Sequence, residues 1–175
     1  QIGAINATLQ GKDVFVLMPT GGGKSLCYQL PSLITSGTTR GVTVVISPLL
    51  SLMQDQVQHL RDLNIQAYLI NSETHQDERR AIFDAFQESN VQDFVQLLYV
   101  TPEMLSKSQA IVNAFSRLNN RGQLARLVVD EAHCVSQWGH DFRPDYKAIG
   151  DVRRQFPRLP VIALTATATE NVKVD

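Results

Sequence analysis

Short, mostly continuous apolar runs that alternate with helical stretches restrict this chain to one class of fold. The runs are Val14–Leu17, Val42–Ser47, Ala67–Ile70, Val95–Val100, Leu124–Val129 and Val161–Leu164. A strand that is apolar along nearly its whole length has both faces covered, as happens when helices flank a parallel sheet on both sides. Between the runs, Leu49, Met53, Val57 and Leu60 recur at helical spacing, with Ser47 expected as the N-cap and Pro48 in the first turn. Thr101-Pro102-Glu103 repeats the step from strand to helix. Thr74 and Asp77 have the spacing of a capping box ahead of a helix that buries Ile82 and Phe86. The pattern predicts a doubly wound, mostly parallel α/β sheet with helices on both faces. Sheets of this kind bind ligands at the carboxyl ends of their strands.

The first of those strand ends carries the chemistry. Met18-Pro19-Thr20-Gly21-Gly22-Gly23-Lys24-Ser25 follows Val14–Leu17 and opens onto Leu26-Cys27-Tyr28-Gln29-Leu30, which reads as a helix. Strand, glycine run and helix are the context of a Walker A loop. Glycines allow successive backbone N–H groups to turn toward phosphate without Cβ clashes, and the helix N-terminus adds unpaired donors and its positive dipole end. Thr20, Gly21, Gly22 and Gly23 would cradle the phosphates, Lys24 would reach the β- and γ-phosphates, and Ser25 would hold Mg²⁺. The motif departs from G-x-x-x-x-G-K-[ST] at its first position, where Met18 stands. The expected ligand is a nucleoside triphosphate, ATP with Mg²⁺.

A second motif completes such a site. Leu127-Val128-Val129-Asp130-Glu131-Ala132-His133 is an apolar strand ending in two carboxylates. At the rim of the sheet Asp130 would hold Mg²⁺ through its water shell, and Glu131 would orient and deprotonate the attacking water. Taken alone, an Asp-Glu pair at a strand end is usually a solvated turn; its place downstream of the glycine run favours the functional reading. The sequence has no H-E-x-x-H pattern or matching ligand set, so zinc is discounted.

Bulk properties narrow the remainder. Lys and Arg number 16 against 17 Asp and Glu, a formal net charge of −1, so any claim of nucleic-acid binding must come from local residues. Cys27 and Cys134 have no metal-type spacing and read as reduced thiols, with a single disulfide still open. No apolar run has the length of a membrane span, and no membrane partner is expected. The chain begins at Gln1 without a methionine and ends at Asp175 just after a motif, so both ends read as cuts through a longer protein.

With these motifs placed, the chain resembles the first RecA-like lobe of a RecQ-family superfamily 2 DNA helicase, of the eukaryotic Bloom-syndrome-helicase-like branch. The resemblance runs along nearly the entire chain. Residues 48–56 are similar to motif Ia, 99–103 to motif Ib and 163–167 to motif III. Residues 134–146, which follow the Asp-Glu-Ala-His peptide directly, resemble the aromatic-rich loop that distinguishes RecQ enzymes. RecQ-like phosphate loops can also carry Met at the position of Met18. Gln1 matches the adenine-reading glutamine of motif 0, although the aromatic and basic residues expected upstream are missing from this chain.

The resemblance implies a RecA-like P-loop NTPase fold and an ATP-dependent 3′→5′ DNA helicase acting in repair and recombination in the nucleus. Its partners would be single-stranded and partly duplex DNA and a second RecA-like lobe of the same parent chain. The whole of residues 1–175 would be the helicase ATP-binding domain. The second lobe, which supplies an arginine finger, would lie outside it, as would the zinc-binding, winged-helix and HRDC regions. In the aromatic-rich loop, Trp138 and Phe142 offer faces on which unpaired bases stack, and Arg143 can bind phosphate. His140 would hydrogen-bond across that loop. His133 and Gln137, with Thr165 and Thr167 from motif III, would relay DNA contact to the carboxylates. Other readings stay open: Trp138 and Phe142 as core aromatics, Thr165 and Thr167 as strand-end caps. A nucleotide hydrolase with no nucleic-acid role, or a nucleotide-stabilised interaction domain, is the alternative for the chain as a whole. Arg153, Arg154, Lys147 and Arg158 read as a solvated helix face, and His59 and His75 as solvated helix residues.

Overall fold

The structure, a computed structural model, describes residues 2–10, 13–17, 26–33, 41–130 and 144–165. Its elements run α1 (Ile2–Leu9), β1 (Val14–Leu17), α2 (Leu26–Ser32), β2 (Val42–Ile46), α3 (Leu50–Asp62), β3 (Ala67–Ile70) and α4 (Gln76–Phe86). After these come α5 (Val91–Phe94), β4 (Leu97–Val100), α6 (Pro102–Lys107), α7 (Gln109–Asn120), β5 (Leu124–Val129), α8 (Pro144–Gln155) and β6 (Val161–Thr165). The strands form one six-stranded sheet in the order β1-β6-β5-β2-β4-β3, and every pairing is parallel. The expected doubly wound α/β architecture is therefore present.

Alternation within the strands sorts the core into two layers. Val44, Ile46, Leu98, Val100, Leu127 and Val129 face one way and pack with Ile82 and Phe86 of α4, Phe115 of α7 and Val152 of α8. Val45, Tyr99, Val128 and Leu164 face the other way and pack with Tyr28 of α2 and Met53, Val57 and Leu60 of α3. Fully burying a side chain of this size is worth about 1.5–3 kcal/mol, which explains the near-absence of polar residues from the central strands. Arg126 is the exception. It is buried on β5, opposite its register partner Thr43, and its Nη1 donates to Thr43 Oγ1 at 2.7 Å. Burial pulls the guanidinium down to about 10.

Local signals behave unevenly. Helix α3 begins at Leu50, and Ser47 does not cap it. Instead Ser47 Oγ accepts from Leu49 N–H at 3.2 Å, closing a turn one step before the helix. Pro48 precedes the helix as well, and Leu49 is exposed and takes no part in the buried stripe of Met53, Val57 and Leu60. The helix stops where Asn64 enters the left-handed region (φ 63°), and Ile65 N–H returns to Leu60 O at 3.0 Å. The capping box before α4 does not form. His75 is the N-cap residue without a side-chain bond, while Thr74 Oγ1 accepts from Asn71 N–H at 2.9 Å. Ile82 and Phe86 are buried as expected. Strand β4 starts at Leu97, not Val95, because α5 ends on a bond from Val95 N–H to Val91 O. Ser47 lies just beyond β2, and β6 runs one residue past Leu164.

Arg153 departs from a plain solvated helix face. Its Nη2 lies 2.9 Å from Asp13 Oδ2, and Asp13 Oδ1 accepts from Val161 N–H at 2.9 Å, tying the end of α8 to the starts of β1 and β6. Arg154 pairs with Asp151 on the surface, and Arg158, His59 and His75 are exposed as expected. The side chains of Lys147 and Cys27, and the whole of Cys134, lie outside the described residues. Among the described residues no helix is long and apolar enough to cross a membrane.

Candidate functional site

Parallel pairing brings all the strand carboxyl ends to one edge. Leu17 is in register with Thr165, and Ile46 with both Val100 and Val129. In sequence, residues 18–25 join the end of β1, which lies on this edge, to the start of α2. Four polar residues sit immediately past strand ends and are nonetheless buried. They are Ser47 after β2, Asn71 after β3, Thr101 after β4 and Asp130 after β5. A row of buried polar groups along a single edge, in a sheet whose interior is apolar apart from the Arg126–Thr43 pair, marks the place where a polar ligand is to be met.

Three of the four members of the row are held by hydrogen bonds. Asp130 is 4% exposed, and its N–H donates to Ile46 O at 2.8 Å, which carries the β2–β5 ladder one residue past the end of β5. Asn71 Oδ1 accepts from Glu73 N–H at 3.0 Å and from Thr74 Oγ1 at 3.0 Å. Ser47 closes the turn into α3. Thr101 Oγ1 is buried with no hydrogen-bond partner among the described residues.

Beneath this row lies a cluster that the linear sequence does not reveal. Tyr28 of α2 and Tyr99 of β4 are both buried, with rings in a T-shaped arrangement (centroids 6.3 Å apart, planes at 68°) and hydroxyls 3.3 Å apart. Tyr28 Oη donates to Gln56 Oε1 of α3 at 2.9 Å, and Gln29 Nε2 donates to Tyr99 Oη at 3.2 Å. Burial raises both phenols above their ordinary 10.0, and the negative charge of Asp130 pushes each in the same direction.

These phenols set an alkaline limit to stability. A group whose pKa is higher in the folded chain than in the unfolded one stabilises fully below its unfolded pKa, and that contribution is lost as pH rises through the folded pKa. Arg126 acts in the opposite sense: its folded pKa is depressed to about 10, so stability is regained as pH climbs from there toward the ordinary guanidinium range. With two phenols against one guanidinium, the thermal midpoint should fall between pH 8 and about pH 11. Tyr99→Phe should narrow that fall, as measured by calorimetry at the two pH values.

Of the residues expected at the site, Asp130 is found at the carboxyl edge, and Thr165 is the last residue of β6 on that edge. Gln1, Thr20, Gly21, Gly22, Gly23, Lys24, Ser25, Glu131, His133, Gln137, Trp138, His140, Phe142, Arg143 and Thr167 lie outside the described residues. Sequence reasoning missed Asn71, Tyr28, Tyr99 and Gln56. The only local hint was a tyrosine inside the otherwise aliphatic run of β4.

Known proteins agree with this architecture. The DEAD/DEAH box helicase family model matches residues 1–174. Over all 175 residues the chain is 58% identical to the ATP-dependent helicase SGS1 of Saccharomyces cerevisiae, 12% of whose length it covers. Over the same span it is 52% identical to the RecQ-like DNA helicase BLM of Xenopus laevis, again covering 12% of that protein. The chain therefore spans about an eighth of the length of these curated relatives. Among solved structures, 97% of the chain superposes on the DUF1998 helicase MrfA bound to DNA and AMPPNP, with a TM-score of 0.68 and 21% identity, covering 24% of that chain. The Pyrococcus furiosus Hef helicase domain gives a TM-score of 0.59 at 22% identity, over 97% of this chain and 33% of that one. The shared fold is the RecA-like α/β layer of helicases, and a family match spanning residues 1 to 174 shows that the chain belongs to the DEAD/DEAH box helicase family.

Proposed function

We propose that residues 1–175 form the first RecA-like lobe of a RecQ-type ATP-dependent DNA helicase. This lobe binds Mg-ATP at the carboxyl edge of the sheet, and the complete enzyme couples hydrolysis to 3′→5′ unwinding in nuclear repair and recombination. The observation that carries the reading is Asp130, a buried carboxylate past the end of β5, on the edge where β1, the strand that precedes Gly21-Gly22-Gly23-Lys24-Ser25 in sequence, also ends. In this reading the backbone of residues 20–23 and the Lys24 ammonium bind the phosphates, and Gln1 reads adenine. Glu131 takes the proton of the attacking water.

The donor set suits magnesium. Among the described residues there is no cluster of three or more His, Cys, Asp or Glu that could hold a metal. Mg²⁺ does not need one, since it keeps several waters and takes one or two protein oxygens beside the substrate phosphates. Asp130 and the Ser25 hydroxyl are such oxygens. When bound, the ion neutralises charge on the phosphates.

Catalytic turnover in such motors depends on an arginine from a second lobe, worth about 10³–10⁵ in rate in related enzymes. The 175-residue chain alone should therefore be stabilised by Mg-ADP in a thermal-shift assay yet turn over Mg-ATP negligibly, with or without single-stranded DNA. Absence of any nucleotide stabilisation would overturn the assignment of the site. Clear DNA-stimulated turnover would show that the arginine is dispensable or comes from another copy. In the complete helicase, Trp138→Ala should leave Mg-ATP binding intact and remove most of the stimulation by single-stranded DNA. Unchanged stimulation would place Trp138 in the core.

A further inference from the structure

The protons of the buried tyrosine cluster can be assigned. Tyr28 has one hydroxyl proton, and it goes to Gln56 Oε1 at 2.9 Å. The 3.3 Å contact between the phenols must then carry the proton of Tyr99, which donates to Tyr28 Oη and accepts from Gln29 Nε2 at 3.2 Å. The result is one directional chain, Gln29 to Tyr99 to Tyr28 to Gln56. It starts on α2, touches β4, returns to α2 and ends on α3, all on one face of the sheet.

Its position gives it a use beyond packing. Tyr28 lies in the first turn of α2, three residues after Ser25 in sequence. Tyr28 and Tyr99 share their core layer with Val128, and Asp130, two residues further on and just past the end of β5, acts electrostatically on both phenols. The cluster is therefore wedged between the helix that carries the phosphate-binding peptide and the strand end that carries the carboxylate. Two phenylalanines of the same shape would fill this space at little cost in stability, because replacing both partners of a buried hydrogen bond by apolar groups is often nearly neutral. A fully satisfied polar chain contributes a single geometry, which generic apolar packing does not specify.

We infer that Gln29, Tyr99, Tyr28 and Gln56 are positioning residues for the metal–nucleotide site, fixing the spacing between the N-terminus of α2 and Asp130. This rests on the reading of that edge as an Mg-nucleotide site. The consequence is specific: loosening the chain lets α2 and its phosphate contacts stay together while their distance from Asp130 drifts. Nucleotide affinity in the absence of metal is then kept, and the part contributed by metal is lost.

The test is the ratio of ADP dissociation constants in EDTA and in Mg²⁺, measured by calorimetry on the 175-residue chain. Four forms are compared: wild type, Tyr99→Phe, the double change Tyr28→Phe with Tyr99→Phe, and Gln56→Leu. Gln56 is only partly buried, so its replacement keeps the question open if the core changes compromise folding. The expected result is a ratio about 3- to 10-fold smaller in the variants, with metal-free ADP affinity retained. This corresponds to losing about one hydrogen bond's worth of positioning. An unchanged ratio in folded variants overturns the inference, and so does an equal weakening with and without metal, which marks a purely structural role. If wild type itself binds no Mg-ADP, the functional reading fails first.

Discussion

Lys24→Ala is expected to remove the stabilisation of this chain by Mg-ADP and to abolish ATP turnover in the complete helicase. A hydrogen bond from a charged donor is worth about 1.5–3 kcal/mol, so affinity should fall roughly 10- to 100-fold from ground-state contacts alone. Turnover should suffer more, because charge on the transferring phosphoryl group is met by fixed positive groups throughout the reaction. The melting temperature without nucleotide should be unchanged, which separates a binding defect from a folding defect. Retained turnover would end the assignment of residues 18–25 as a phosphate loop, whatever the resemblance of the rest of the chain.

Gly41→Ala should have the largest effect on stability. Gly41 sits at φ +105°, and a Cβ added there would lie 1.9 Å from Gln123 O and 2.2 Å from its carbonyl carbon. The obstacle is backbone and cannot step aside, because Gln123 O also accepts from Val42 N–H at 2.9 Å where β2 begins to pair with β5. Strain from the disallowed φ and the overpacking together come to about 3–5 kcal/mol. That is a large part of the stability of a domain, and it should lower the melting temperature by roughly 10–15 °C. Gly122 provides the control: its φ is +70°, but an added Cβ meets nothing within 4 Å, so Gly122→Ala should cost only about 1–2 kcal/mol. Chemical denaturation of the two variants side by side distinguishes the clash from the dihedral.

The sheet was legible in the sequence because both of its faces are covered. Continuous apolar runs then mark strands without reference to anything distant, and β1, β3 and β5 begin and end where the runs do. Caps were less legible: Ser47 and Thr74 have the right chemistry, but both hydroxyls are committed to turns just before the helices they were expected to cap. Helices α1, α5 and α7 were not anticipated. In α7 the signal was present, since Ser108 Oγ accepts from Ile111 N–H at 3.4 Å and Ile111, Phe115 and Leu118 form its buried stripe. Asp130 could be placed because a strand end is a local feature. The tyrosine cluster could not, because Tyr28 and Tyr99 are 71 positions apart and meet only once α2 has docked on β4.

The pairing of β1 with β6 has a consequence for the order of events during synthesis. Val14 is matched to Ile162, so the strand that leads into the phosphate-binding peptide is made first and paired last. Strands β2, β3, β4 and β5 can assemble while the ribosome is still adding residues, since β2 pairs with β4 and β5 and β3 with β4, all within the middle of the chain; only the second neighbour of β5, β6, is still to come. Until Val161–Thr165 has emerged, β1 has no neighbour in the sheet and the glycine-rich peptide has no fixed floor. A nascent chain arrested ahead of Val161 should contain a folded central sheet that does not respond to nucleotide, and competence to bind should appear abruptly once β6 is released.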